Sequence, residues 1–112
     1  MFQWNFNMET KTEILVVGTN GPILATVLRL LNSNEAWNAT GVSAVEEVIS
    51  ACESKPYAVV LIGAGLSDAE EADLMARVLQ INPDIQVIPH YGGGSGLLFA
   101  EIYLALAGGA NN

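Results

Sequence analysis

The side chains that could carry chemistry are few and stand far apart along the chain. His90 is the only histidine and Cys52 is the only cysteine. A general base, a nucleophile or a metal ligand needs partner groups beside it, and no sequence motif supplies them for either residue. We expect Cys52 to be a buried thiol on the apolar stripe of a helix, and His90 to be structural or solvent-facing. The residue types therefore predict no catalytic site, no metal site and no cofactor.

Two further stretches have the composition of a binding site. Asp68, Glu70, Glu71 and Asp73 cluster where a helix is predicted to begin, and acidic residues favour that end of a helix in any protein. The run Gly92–Gly96 precedes the last predicted helix, and its backbone N–H groups could hold an anion. The same run could instead be a flexible hinge. We interpret the four carboxylates as the acidic first turn of a helix. For Gly92–Gly96 we favour the hinge over the anion site.

Composition excludes several classes of partner. The 112 residues suit a single domain, and 51% of them are hydrophobic. The net charge is -8, with only four cations, so binding to nucleic acid or to an anionic membrane is not expected. A single cysteine fits a reducing compartment, and the first residues do not resemble a signal peptide. We therefore predict a cytoplasmic protein.

The elements that must position these residues are four predicted strands, each followed by a predicted helix. The stretch 57–63 is apolar on every residue until Gly63, as expected of a central strand buried on both faces. Asn20 is the expected N-cap of the first helix, and Ser43–Glu46 and Ser67–Glu70 read as capping boxes. The pattern predicts a three-layer, doubly wound α/β domain over residues 11–112. Its predicted strands are 13–18, 36–42, 57–63 and 85–88, and its predicted helices follow each strand, the last over 97–107.

Residues 1–10 form a separate segment. Phe2, Trp4, Phe6 and Met8 alternate with polar residues, which is the period of a strand with one covered face. The segment is either a frayed tail preceding a start at Met8, or an extra edge strand or dimer arm.

The stretch from Tyr57 to Asp68 resembles the receiver domain of two-component response regulators. Receivers carry an aromatic residue, a run of aliphatic residues, the phospho-accepting aspartate and then a Leu-Pro pair. Here the aliphatic run is Val59–Ile62, Gly63 stands at the place of the aspartate, and Ser67 at that of the proline. The resemblance covers residues 13–110 and implies a flavodoxin-like fold, truncated to about four βα units, with strand order 2-1-3-4.

The resemblance also shows what is missing. Receivers hold magnesium with an acidic pair after the first strand, where this chain has Gly18, Thr19 and Asn20. They place a serine or threonine after the fourth strand, where His90 and Tyr91 stand, and a lysine after a fifth strand that this chain lacks. Phosphoryl transfer needs those carboxylates and the metal. The chain is therefore interpreted as a pseudo-receiver: a non-catalytic, phosphorylation-independent signalling module.

The last predicted helix suggests how such a module acts. It is apolar around nearly its whole circumference, so we expect one side to pack on this chain's own sheet and the other, which has no cover within the chain, to be buried by a partner. Without a fifth strand, the fourth strand would also be an open sheet edge. We predict a homodimer, with docking to another signalling protein as the alternative. The predicted interface consists of Ile85, Val87, Leu97, Leu98, Phe99, Ile102, Tyr103 and Leu106, with residues 2–8 as a possible cover for the edge.

A second function stays open. The loops at the carboxyl ends of the strands could bind a small ligand or an anion, because ligands of doubly wound sheets gather there. The residues predicted for such a site are Thr19, Asn20, Gly63, His90, Gly93 and Ser95.

Overall fold

The computed structural model describes residues 11–63, 65–88, 102 and 104–106, and the following account is limited to them. Strands and helices alternate along the chain, and residues 102 and 104–106 are also helical. The first half contains β1 (Thr12–Val17), α1 (Gly21–Asn32), β2 (Trp37–Val42) and α2 (Val45–Ser54). The second half contains β3 (Val59–Ile62), α3 (Asp68–Ile81) and β4 (Gln86–Ile88).

The four strands form one parallel sheet in the order β2-β1-β3-β4, which confirms the predicted topology. The two central strands pair residue by residue, from Ile14 opposite Val59 to Val17 opposite Ile62. All four residues of β3 are buried, as the continuous apolar run predicts. The strand is shorter than the predicted 57–63 because its pairing with β1 extends only over Val59–Ile62.

The helices cover both faces of the sheet. We call one side the α2–α3 face, where Leu15 and Val17 of β1 pack with core residues of α2 and α3, such as Val48 and Leu74. The other side is the α1 face, where Ile14 and Val16 pack with α1. Alternate residues of one strand reach opposite faces, so β1 and β3 contribute to both clusters. This is the three-layer, doubly wound arrangement.

Helical residue Ile102 lies on the α1 face. Its side chain is fully buried and belongs to the same cluster as Val27 and Leu31 of α1. Ala105 and Leu106 pack against that cluster, whereas Leu104 is 72% exposed. The last helix therefore has an inner and an outer side within the described residues, and Leu104 lies on the side that this chain does not cover, so burial of that side by a partner stays a prediction. The remaining residues of the predicted helix 97–107 lie outside the described part of the chain, as do residues 1–10.

Local capping signals position the helix starts that face the carboxyl ends of the strands. Asn20 caps α1 by accepting the Ile23 N–H at 3.0 Å, and Ser67 and Glu70 form the predicted capping box of α3. The predicted box at Ser43–Glu46 is wrong. The N-cap of α2 is Ala44, and the Glu47 carboxylate instead accepts the Ser43 N–H at 2.8 Å. No helix in the described part of the chain is long and apolar enough to cross a membrane.

Candidate functional site

The candidate site is the edge of the sheet where the central strands β1 and β3 end. Gly18, Thr19 and Asn20 follow β1, and Gly63 follows β3 directly. The Gly63 N–H donates a hydrogen bond of 2.7 Å to the carbonyl oxygen of Val17, so the two strand ends are held together beyond the last ladder residues. Three of the residues predicted for a ligand site, Thr19, Asn20 and Gly63, are thus on neighbouring strand ends.

Gly63 is half-buried and closely packed against β1. A Cβ atom at this position would lie 3.1 Å from the Val17 carbonyl oxygen, which is tighter than ordinary van der Waals contact. A side chain at residue 63 would therefore need a shift of a few tenths of an ångström in the backbone of β1. The position at which receivers carry an aspartate has become a close backbone contact between two strands.

The loops after β1 and β3 also touch through Thr19 and Gly65. Gly65 has a φ of 111°, a conformation that glycine adopts far more readily than other residues. A Cβ atom on Gly65 would overlap the Thr19 hydroxyl oxygen. The Thr19 side chain therefore lies directly beside Gly65, and the two loops touch at these two exposed residues. Sequence reasoning missed this contact because the two residues are brought together only by the sheet.

The polar side chains around this edge serve mainly as helix caps. The Asn20 amide oxygen is engaged with the Ile23 N–H, and the Ser67 hydroxyl oxygen accepts the Glu70 N–H at 3.1 Å. The Glu70 carboxylate in turn accepts the Ser67 N–H at 2.9 Å. Each of these groups satisfies a backbone donor or acceptor of a helix start. Thr19, which carries the hydroxyl group of the β1–α1 loop, is exposed.

The acidic cluster on α3 is divided among different roles. Glu70 belongs to the capping box, Glu71 is 7% exposed, and Asp73 contacts Arg77 at 3.3 Å. Among the described residues, no group of three or more histidine, cysteine, aspartate or glutamate side chains is placed to hold a metal ion.

Arg77 connects α3 to α2. Its guanidinium nitrogens lie 2.7 and 3.1 Å from the two carboxylate oxygens of Glu46, in a bidentate ion pair. The hydrogen bonds from Arg77 hold the pKa of Glu46 below its ordinary value, and those with Glu46 and Asp73 raise the pKa of Arg77. Hydrogen bonds from Ser43 likewise lower the pKa of Glu47. These charges join the two helices on the outer surface.

The residues predicted for an interface have different surroundings. Ile85 and Ile102 are 4% and 0% exposed and pack in the chain's own core. Val87 and Leu106 are partly buried against opposite faces. Leu104, which the prediction did not include, is the most exposed large apolar side chain among the described residues, at 72%. Leu97, Leu98, Phe99 and Tyr103 lie outside the described residues, as do His90, Gly93 and Ser95 of the alternative ligand site.

An open depression of about 300 Å³ lies at the opposite end of the sheet, between the end of α2 and the end of α3. Cys52 lines it with a 7% exposed side chain, and burial raises the pKa of its thiol. Lys55, which also lines it, pairs with Glu13 at 3.5 Å. The protonated thiol is a weak nucleophile, so this depression has no evident chemistry.

Comparison with solved structures identifies the fold. A receiver domain protein of the CheY-like type from Methanospirillum hungatei superposes with a TM-score of 0.79 over 91% of this chain and 98% of its own, at 14% identity. The signal receiver domain of an HD domain-containing protein from Pseudomonas fluorescens gives 0.77 over 90% of both chains, at 18% identity. The BeF3-activated DrrB receiver domain gives 0.72 over 88% of this chain and 99% of its own, at 14% identity.

These similarities confirm the predicted resemblance at the level of the fold. The chain has the architecture of a response-regulator receiver domain, with four parallel strands in the order 2-1-3-4. In sequence, no family model matches the chain. No curated protein matches it either.

Proposed function

We propose that this protein is a receiver-like signalling module that works without phosphorylation and without catalysis, through contacts with other protein chains. Self-association into a homodimer is the proposed mode of action. The receiver fold supports a role in signalling, since three solved structures that superpose on this chain with TM-scores of 0.72 to 0.79 are receiver domains.

The observation that carries the proposal is the close backbone contact of Gly63 with Val17. An aspartate that accepts a phosphoryl group needs an open position and carboxylates nearby to hold a metal. Here residue 63 is a glycine packed on Val17, and Thr19 lies directly beside Gly65. The side chains of the described residues at this edge also offer no group of carboxylates placed to hold a metal, and the Asn20 amide oxygen is engaged in the cap of α1.

The test of phosphorylation uses acetyl phosphate and Mg²⁺. We expect the intact mass of the protein to remain unchanged, while a receiver that retains its aspartate, treated in parallel, gains one phosphoryl group. A phosphoryl adduct on this chain would contradict the proposal.

A thermal-shift screen with nucleotides, inorganic phosphate and other small anions addresses the alternative. A ligand that binds only the folded state raises the melting temperature. We expect no shift with any of these compounds. A melting temperature that rises with ligand concentration would support the ligand-binding function and contradict the proposed interaction module.

A further inference from the structure

The two edges of the sheet differ in their backbone hydrogen bonds. At the β2 edge, the Asn32 side chain at the end of α1 bonds to the outward backbone of Ala39. The Ala39 N–H donates to Asn32 Oδ1 at 2.8 Å, and Asn32 Nδ2 donates to the Ala39 carbonyl oxygen at 3.2 Å. An added strand would have to displace this amide. The β2 edge is therefore blocked in its middle.

The β4 edge carries an outward donor and acceptor on the same residue. The Gln86 N–H donates to the Ala58 carbonyl oxygen at 2.9 Å, so Gln86 faces β3 and the next residue, Val87, faces away from it. Among the described residues, nothing is hydrogen-bonded to the N–H or the carbonyl of Val87. The neighbouring outward donors are unavailable to a ladder because the Ile85 N–H is bonded to Asn82 and residue 89 is proline.

The two flanks of α3 differ as well. Asp73 and Arg77, one turn apart, lie on the flank that contacts α2. At 100° per residue, Met75 and Leu79 lie on the other flank, which faces the β4 edge. Met75 is partly buried and Leu79 is 39% exposed. We name Met75, Leu79 and Val87 together the α3–β4 edge.

No described helix covers this edge. Crossovers between parallel strands are right-handed, and the steps from β2 to β3 and from β3 to β4 place α2 and α3 on one face. A helix leading to a further strand beyond β4 would lie on that face too, beside α3. The helical residues 102 and 104–106 instead pack on the α1 face, where Ile102 is buried.

Charge and symmetry favour a second copy of this chain as the partner. Copies with a net charge of -8 repel each other, so they must meet through uncharged surface. Of the seven carboxylates that α2 and α3 carry within their bounds, only Asp68, at the start of α3, is exposed on the flank of Met75 and Leu79, and the three residues of the α3–β4 edge are uncharged. One donor and one acceptor on a single residue are also what two copies exchange across a two-fold axis.

We propose that β4 pairs antiparallel with β4 of a second copy, with the two-fold axis at Val87 and the apolar flanks of α3 in contact. This inference rests on the proposed self-association and specifies its surface. Val87 of each copy donates its N–H to the carbonyl of the other, which brings the two Cα atoms to about 5.5 Å. The result is one continuous eight-stranded sheet.

Cysteine cross-linking tests the register, because a disulfide forms at Cα separations of roughly 4.4–6.8 Å. We expect V87C to become mostly covalent dimer on mild oxidation at micromolar concentration, as seen on a non-reducing gel. Wild type, whose only cysteine is buried, and I23C, at a 53% exposed position on α1, should stay uncross-linked. Circular dichroism melting checks that each variant is folded.

A second pair of variants tests the flank without touching the core. L79E should shift sedimentation velocity from dimer to monomer, and I23E, on the opposite face, should leave the dimer intact. A wild-type dimer that neither cross-links at residue 87 nor responds to L79E would overturn this inference and leave the proposed self-association standing. A wild-type monomer at micromolar concentration would overturn both.

Discussion

At the scale of single residues, the site is defined by contacts of glycine. Gly63 has no side chain, and its backbone joins β3 to β1 through the hydrogen bond to Val17. Gly65 turns with a positive φ against Thr19. The absence of an aspartate at residue 63 is visible in the sequence, but the contact between Thr19 and Gly65 is not, because it joins residues on different strand ends.

Replacing Gly65 tests this packing. G65A should destabilise the fold by about 1–3 kcal/mol, because alanine is strained at this φ and its Cβ overlaps the Thr19 hydroxyl. The measurement is urea unfolding followed by circular dichroism.

The matched control is G21A, in the first turn of α1, where a Cβ would meet nothing within 4 Å. It should be neutral or stabilising by about 0.4–1 kcal/mol. Equal stability of G65A and G21A would contradict the described contact at Gly65.

At the scale of elements, the strands and two of the three helix caps were predictable, whereas the cap of α2 and the packing of the last helix were not. The runs of β1 and β3 are apolar on both faces, and the Asn20 cap and the Ser67–Glu70 box are short-range signals. The last helix has apolar residues on every side, so periodicity gives no inner face. Its side is set by the space that α1 leaves over the sheet, which is a tertiary property.

Truncating Ile102 tests whether that helix is part of the core. I102A should cost about 2–5 kcal/mol, as expected for a fully buried aliphatic side chain. L104A, two residues along and 72% exposed, should change stability by less than about 0.5 kcal/mol.

Both effects can be read from urea unfolding. An I102A variant as stable as L104A would mean that residue 102 does not pack on the α1 face in solution.

At the scale of the whole molecule, charge is unevenly distributed. Helices α2 and α3 hold seven carboxylates and Arg77, whereas α1 holds no carboxylate and one cation, Arg29. The net charge of -8 could be read from composition, and it argues against the basic surface that nucleic acid requires. The location of that charge required the fold, because only the topology places both acidic helices on the same face.

The Arg77 bridge should make stability depend on pH. Arg77 lowers the folded-state pKa of Glu46 below 4.5, so its stabilisation is present at neutral pH and is lost as pH falls below about 4.5. R77M should therefore be less stable than wild type at pH 7, with a difference that shrinks by pH 3.

R29M removes the same charge from α1, where no carboxylate of the described residues lies within ion-pair distance. Its difference from wild type in urea unfolding should not follow the titration of Glu46. The same pH profile for R77M and R29M would mean that the effect is one of net charge alone.

The amide of Asn32 has a consequence for how large an assembly can grow. A sheet with two open edges can add copies without limit, as in a fibre. Because Asn32 occupies the backbone of Ala39 at the β2 edge, the β4 edge is the one that the described residues leave for pairing. Association through β4 uses that edge in both copies and leaves only blocked edges outside, so growth ends at two.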